Sequence, residues 1–318
     1  MTNKISQLGL GLAALGRPGY INLGHAEDLN EDYDEFRMES QTHKMLDKAY
    51  GLGIRYFDAA QSYGKAEQFL ASWLKKTNPK EVLVGSKWGY YYNADWSVDA
   101  EKHEIKEHTI KRLNLQWPES KSRLDPYLKL YQIHSATFES GVLENRAVLD
   151  RMGEIKSEGY AIGLSVSGPN QSEVIKAALK VIVDGDQLFD SVQATYNMLD
   201  QSPEEALKMA TDAGLKTIIK EAVANGRLTE RNSSADYISV IQKIAHLHGV
   251  SVDAIAIAFV IQKPFVNRVL SGAAVEAHLI SNLQATQIQL TQVEIDTLSK
   301  LKMSPDQYWK DRSRLSWN

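Results

Sequence analysis

Residues 55–87 read RYFDAAQSYGKAEQFLASWLKKTNPKEVLVGSK. Residues 55–58 and 81–87 are short β-rich runs. Between them, residues 65–76 carry Ala66, Phe69, Leu70 and Trp73 three and four apart, the spacing of one helix face. Two strands joined through a helix run parallel. The two runs end on opposite charges, Asp58 and Lys87.

The same unit repeats along the chain. Candidate strands are 7–12, 55–58, 81–87, 128–134, 161–166, 191–195, 216–220 and 268–271. Helical spacing marks 41–51, 65–76, 142–158, 170–183, 203–213, 235–248 and 275–285. Eight strands alternating with helices predict an α/β chain folded as one (β/α)8 barrel domain over residues 1–318. The runner-up, an open doubly wound sheet, is disfavoured because Gly9, Gly11 and Gly16 do not make the GxGxxG spacing. Ser202-Pro203-Glu204-Glu205 reads as a helix start, with a capping hydroxyl, a first-turn proline and acids at the positive end of the dipole. The long polar stretch 17–38 reads as a solvated loop. Residues 290–302 form an extra helix beyond the barrel. The tail 303–318, with Tyr308, Trp309 and Trp317, suits three roles: cover for a site, contact with another subunit, or a cap on the barrel.

Composition narrows the function class. Lys and Arg number 36 against 40 Asp and Glu, a formal charge of −4, so no basic excess steers the chain toward nucleic acid or an anionic membrane. With no cysteine, disulfides, thiol nucleophiles and thiolate metal sites are excluded within this chain. No signal-peptide pattern and no apolar stretch of membrane-spanning length is present, which gives the expectation of a soluble cytoplasmic protein.

Reacting groups in such a barrel sit at the C-terminal strand ends. There the sequence puts Asp58, Lys87 and His134 on three successive strands, with Tyr63 five residues beyond Asp58. The four types make one chemical device. A phenol is a weak proton donor at neutral pH; an adjacent ammonium is expected to favour the phenolate and lower its pKa. A carboxylate counters the ammonium, and an imidazole donates a hydrogen bond to a carbonyl or joins the proton relay.

At these residues the sequence resembles the aldo-keto reductase superfamily. The matching stretches are GLGLAALG (9–16), YFDAAQSYG (56–64), GSKWG (85–89), YQIHSA (131–136), IGLSVSG (162–168), VQATYN (192–197), IIKEAVANGRLT (218–229) and LSGAAVEAHLISN (270–282), in family order over nearly the whole chain. The resemblance implies a barrel that reduces carbonyls or oxidises alcohols with a nicotinamide cofactor. It assigns Tyr63 as acid/base, Lys87 and Asp58 as its tuners and His134 as the group that orients substrate. Ser165 and Gln193 match positions that bind the nicotinamide carboxamide, although Val166 stands where the family often has Asn. Lys220 stands where the family often stacks an aromatic on the nicotinamide, a role a lysine cannot fill in the same way. Leu12 and Ala13, at and just after the end of the first strand, are expected to contact the cofactor, and the loop Ala222, Gly226 and Leu228 is expected to cradle the pyrophosphate. Ser271, Gly272, His278 and Asn282 mark the adenosine end. Gly272 and His278 replace a lysine and an arginine common in relatives, and less fixed positive charge weakens selection for the 2′-phosphate of NADP. Use of both NAD and NADP, or a lean toward NAD, is expected.

Arg17, Tyr20, Trp88, Tyr91 and Trp96 are the candidate substrate wall; aromatic residues after Lys87 suit a sugar or other ring-bearing substrate. The expected partner is a small carbonyl or alcohol, with no nucleic acid and no membrane. Two other classes compete. One is a nicotinamide-binding, redox-sensing partner subunit with little turnover. The other is a hydrolytic barrel, for which Asp58 and Glu221 are the available acid pair. The histidine spacings offer no metal site.

Overall fold

Strand residues such as Val84, Ile133, Ile162, Leu164 and Val192 are wholly buried, as parallel strands covered by helices require. In the computed structural model, which describes residues 4–318, eight strands pair in chain order: β1 (Leu8–Gly11), β2 (Tyr56–Asp58), β3 (Leu83–Trp88), β4 (Leu128–Ala136), β5 (Ala161–Val166), β6 (Ser191–Thr195), β7 (Lys216–Lys220) and β8 (Arg268–Ser271). All pairings in the ring are parallel, and β8 pairs back on β1 to close the barrel. The fold is therefore the expected α/β barrel, with all eight strands at the predicted places.

The barrel interior has an apolar floor. Tyr56, Leu130, Ile218 and Leu270 form a cluster of their own, a contact that strands spaced around the ring can make only inside it. Gly85 makes room for this floor, since a Cβ there would lie 2.2 Å from the Tyr56 hydroxyl. Side chains two apart share a face, so Asp58 stands directly above Tyr56 at the C-terminal rim.

The helices outside are α1 (Glu35–Gly51), α2 (Ala66–Thr77), α3 (Ile110–Leu124), α4 (Arg146–Ser157), α5 (Gln171–Ala178), α6 (Glu204–Asp212), α7 (Asp236–His248), α8 (Val252–Ile261) and α9 (Glu276–Gln284), followed by α10 (Gln292–Ser299) and α11 (Pro305–Ser313). Helices α3 and α8 escape the sequence reading for physical reasons. Every residue of α8 is buried, so it has no polar face to set a period. Helix α3 carries Pro118 in its interior, which reads as a breaker.

Three local expectations fail. Ser202 does not cap α6; Pro203 holds that position without a side-chain bond, while Asp200 Oδ1 accepts from the Ser202 backbone N–H at 3.1 Å. The helix expected over 170–183 ends at Ala178, and Ile182–Val183 instead pair with Asp186–Gln187 in a two-stranded hairpin. The stretch 17–38 is not a solvated loop: Arg17, Ile21, His25, Asp28, Leu29 and Met38 are buried, and the chain lies across the barrel mouth.

Candidate active site

Strand register lines up the expected groups. Asp58 pairs with Gly85 across β2 and β3, and Lys87 pairs with Gln132 across β3 and β4. The Lys87 ammonium donates to Asp58 Oδ1 and, at 2.9 Å, to the Ala59 carbonyl. The other carboxylate oxygen of Asp58 accepts from Gln193 Nε2 at 2.9 Å and from the Tyr56 hydroxyl at 3.3 Å. Asp58 and Lys87 are 2 % and 1 % exposed, so each is the other's counter-charge in a dry site.

Tyr63 folds back over this pair. The turn is tight: the Lys65 N–H donates to Gly16 O at 2.7 Å, and Gly64 takes a left-handed φ of 58° that favours glycine. The Lys87 ammonium then lies 4.7 Å from the Tyr63 ring centroid, and the His134 ring meets Tyr63 edge-on at 5.4 Å. His134 Nδ1 is 3.2 Å from Ser62 Oγ. The buried ring of His108 donates from Nε2 to the His134 carbonyl at 2.7 Å, holding that segment of β4.

The mouth is covered by parts far apart in sequence. Arg17 donates to Glu104 at 2.8 Å and to Ser62 O at 3.2 Å. Its guanidinium lies about 5 Å from the ring centroids of Tyr20, Tyr63 and Trp317. The C-terminus pairs with Tyr20 through Tyr20 N to Asn318 O at 3.1 Å and Asn318 N to Tyr20 O at 3.3 Å. Of the three roles open to the tail, Trp317 covers this site. Further along, Asp28 and Arg231 form a two-pronged ion pair at 2.5 and 3.0 Å. Leu23 N donates to Asn225 O at 3.1 Å and Asn225 Nδ2 to Ile21 O at 3.0 Å. Residues 21–28 are thus strapped to the loop after β7.

Beneath these covers runs a cavity of about 820 Å³. Asp58, Tyr63 and His134 line it, with Lys87 immediately behind Asp58. Of the remaining sequence candidates, Ala13, Gln193, Lys220, Ala222, Gly226, Ser271, Gly272, His278, Asn282, Arg17 and Tyr20 also line it.

Six candidates do not. Leu12 and Leu228 are fully buried in the apolar core. Ser165 is buried and accepts from the Ser135 N–H at 2.8 Å. Trp88 is fully buried against His108. Tyr91 lies on a hairpin (Tyr90–Tyr92 with Glu104–Lys106) under the Arg112 guanidinium at 4.3 Å. Trp96 donates to Tyr33 O at 2.7 Å and packs edge-on against Phe69. The aromatic run after Lys87 therefore belongs mostly to packing; Tyr90, tilted against His134 at 4.9 Å, is its member in the cavity. Cavity-lining residues outside the sequence candidates include Glu104, Lys106, Ser167, Arg312, Asp28 and Asp253. Ser167 lies in the quoted IGLSVSG stretch, and the others signal themselves in the sequence only by charge.

Electrostatics corrects one expectation. Burial, then the Asp58 carboxylate, push the Tyr63 phenol well above its ordinary value, against a weaker pull from Arg17. The expected lowering by the Lys87 ammonium is outweighed: burial and Asp58 leave the phenol raised. Burial, followed by Lys87 and Arg17, holds His134 well below its ordinary value, hence neutral. Burial raises Glu221, but Arg312 and Lys220 outweigh it and hold the carboxylate at about 2. Arg312 clasps Glu221 from Nε at 3.0 Å and from Nη2 at 2.5 Å. That removes Glu221 as a hydrolytic acid, and among the described residues no His, Asp and Glu cluster suits a metal ion.

A family model described as the aldo/keto reductase family matches residues 7–302. An aryl-alcohol dehydrogenase of Pestalotiopsis microspora is 24 % identical over 281 residues, 81 % of this chain and 71 % of that protein. An NADH-specific methylglyoxal reductase of Escherichia coli is 21 % identical over 286 residues, 80 % and 85 % of the two chains. Among solved structures, the holo form of an aldo-keto reductase from Bacillus halodurans superposes with a TM-score of 0.70 at 22 % identity, covering 94 % of this chain and 92 % of that one. A glycerol dehydrogenase from Gluconobacter oxydans does so at 0.68 and 20 %, covering 93 % and 90 %.

Proposed function

The chain belongs to the aldo/keto reductase family, whose chemistry is oxidoreduction between carbonyls and alcohols, and on that premise we propose that Tyr63 is its acid/base, tuned by Lys87 and Asp58, with His134 orienting a small aldehyde, ketone or aldose. The observation that carries the reading is the meeting of Tyr63, His134 and the Lys87–Asp58 pair at one wall of one cavity.

The cavity fits a nicotinamide dinucleotide. Its volume lies in the range of cofactor sites, and Gly272 leaves open space where a Cβ would intrude. Gly226, at φ 84°, lets the loop pack close under Leu23 of the covering strap. The Gln193 amide lies at the end that holds Asp58. Bound there, the cofactor supplies hydride to a carbonyl carbon or takes it from an alcohol carbon.

The protein's own groups handle the oxygen. A neutral Tyr63 donates its phenolic hydrogen to the carbonyl oxygen. Ser62 Oγ can donate to His134 Nδ1, which leaves Nε2 of the neutral imidazole as the N–H directed to the same oxygen. As the proton leaves Tyr63, the nearby Lys87 ammonium stabilises the phenolate that forms; in reverse, that phenolate takes the proton of an alcohol. Lys87 thereby opposes the burial and the Asp58 charge that raise the phenol.

Cofactor choice follows from the adenosine end. Gly272 offers no charge, and His278 sits 3.7 Å from the Asp28 carboxylate. Asp253 is the acceptor for Ser281 and Asn282, both at 2.7 Å. Arg231 is tied to Asp28, and among the described residues lining this end no lysine stands free, which favours NAD over NADP. The test is turnover with both cofactors across a panel of aldehydes, aldoses and alcohols, read by cofactor absorbance. NADH- or NAD-linked turnover of at least one class is expected; cofactor binding without turnover on any class would overturn the reading.

A further inference from the structure

Lys220 is a cation built into the cavity wall. It ends β7 beside Thr195 of β6, and its ammonium donates to Thr195 Oγ1 at 2.7 Å and Ser167 Oγ at 3.0 Å. Neither partner is charged. The nearest carboxylate, Glu221 Oε1, is 4.0 Å away and is already clasped by Arg312. The trio Lys220, Glu221 and Arg312 therefore keeps one net positive charge, and all three line the cavity. On the opposite side, Asp58 and Lys87 cancel.

We propose that Lys220 makes the site discriminate between the two redox states of its nicotinamide, binding the neutral reduced ring in preference to the positively charged oxidised one. This rests on the cofactor reading above, under which the carboxamide lies by Gln193, two residues before Thr195 on the same strand. A pyridinium near an unmatched ammonium is repelled, whereas a dihydropyridine carries no charge to repel. Tighter binding of the reduced form raises the potential of the bound couple. The equilibrium within the site then leans toward alcohol oxidation: hydride leaves the alcohol carbon for the oxidised cofactor, and the hydroxyl proton leaves through Tyr63.

The lysine has the means to respond to pH. It is lowered to about 8: burial lowers it most, Glu221 raises it, Arg312 and Lys87 lower it, and Asp200 raises it least. The Trp309 ring lies 5.9 Å from the ammonium, and His134 shares the cavity. Above its pKa the discrimination disappears.

The experiment measures dissociation constants of NADH and NAD⁺ by protein-fluorescence quenching, for wild type, Lys220→Met and Lys220→Arg. The ratio of the NAD⁺ constant to the NADH constant should fall about tenfold in Lys220→Met, equivalent to about 30 mV in the bound couple, and persist in Lys220→Arg. In wild type it should shrink between pH 7 and about pH 9.5, because a lysine with a depressed pKa loses its charge there. An equal loss of affinity for both forms in Lys220→Met would mean a phosphate-binding lysine and overturn the proposal. If Lys220→Met does not fold, a wild-type ratio that stays flat with pH overturns it. Failure of wild type to bind either form would instead overturn the cofactor reading, and this proposal with it.

Discussion

Trp317 stacks on His103 with ring centroids 4.1 Å apart and planes 5° from parallel. This contact fixes a residue next to the C-terminus over a hairpin loop near the mouth. The same indole receives the Arg17 guanidinium at 5.0 Å, so tail, hairpin and the 17–38 segment meet above Tyr63. Removing Trp317 should loosen substrate rather than cofactor. Trp317→Ala is expected to raise KM about fivefold, the effect of about 1 kcal/mol, with an unchanged NADH dissociation constant. A rise in the cofactor constant with KM unchanged would show that the tail serves the other end.

Asp28 and Arg231 strap the cavity and, on the proposed reading, bias its choice of cofactor. Asp28→Ser removes a carboxylate and frees Arg231 for a 2′-phosphate. The ratio of kcat/KM with NADPH to that with NADH should rise about tenfold, the scale of one charge-assisted contact. Steady-state kinetics with both cofactors checks this; an unchanged ratio would place the 2′-position away from Asp28.

The Lys87–Asp58 pair separates stability from chemistry. Lys87→Met alone leaves a buried carboxylate unmatched and should cost about 3–5 kcal/mol in urea unfolding. Lys87→Met with Asp58→Asn should recover most of that stability while turnover stays lost in both. A double variant no more stable than the single one would contradict the pairing.

Acid should destabilise the fold through buried imidazoles. Burial holds His25 and His108 at about 4, against an ordinary 6.5. A depressed histidine contributes stability that is fully present above pH 6.5 and drains as pH falls toward 4, because the unfolded chain takes up the proton first. Each contributes on the order of 3 kcal/mol. Tm should therefore fall from pH 7 to pH 4, and His108→Gln, which can keep a bond to the His134 carbonyl, should flatten the decline. A Tm profile unchanged by that substitution would refute the assignment.

What the sequence made legible was whatever repeats or ends a strand. β-rich runs alternating with stretches of helical spacing located all eight strands, and strand ends located Asp58, Lys87 and His134. Helix α8 was invisible because burial on every side erases the period. Trp88, Tyr91 and Trp96 do not line the cavity: Trp88 follows Lys87 on β3 and so turns to the opposite face, while Tyr91 and Trp96 sit on a hairpin and its loop, whose packing partners adjacency to Lys87 does not reveal. Asp28–Arg231 and Glu221–Arg312 join residues 203 and 91 positions apart, and only the closed barrel brings such charges together.

The most direct test of the central claim is a single turnover of Tyr63→Phe with prebound NADH and an aldehyde that wild type reduces. Loss of the phenolic hydroxyl alone should leave NADH binding intact and slow hydride transfer about 10²–10⁴-fold. Transfer at the wild-type rate would contradict the assignment of Tyr63 as the proton donor.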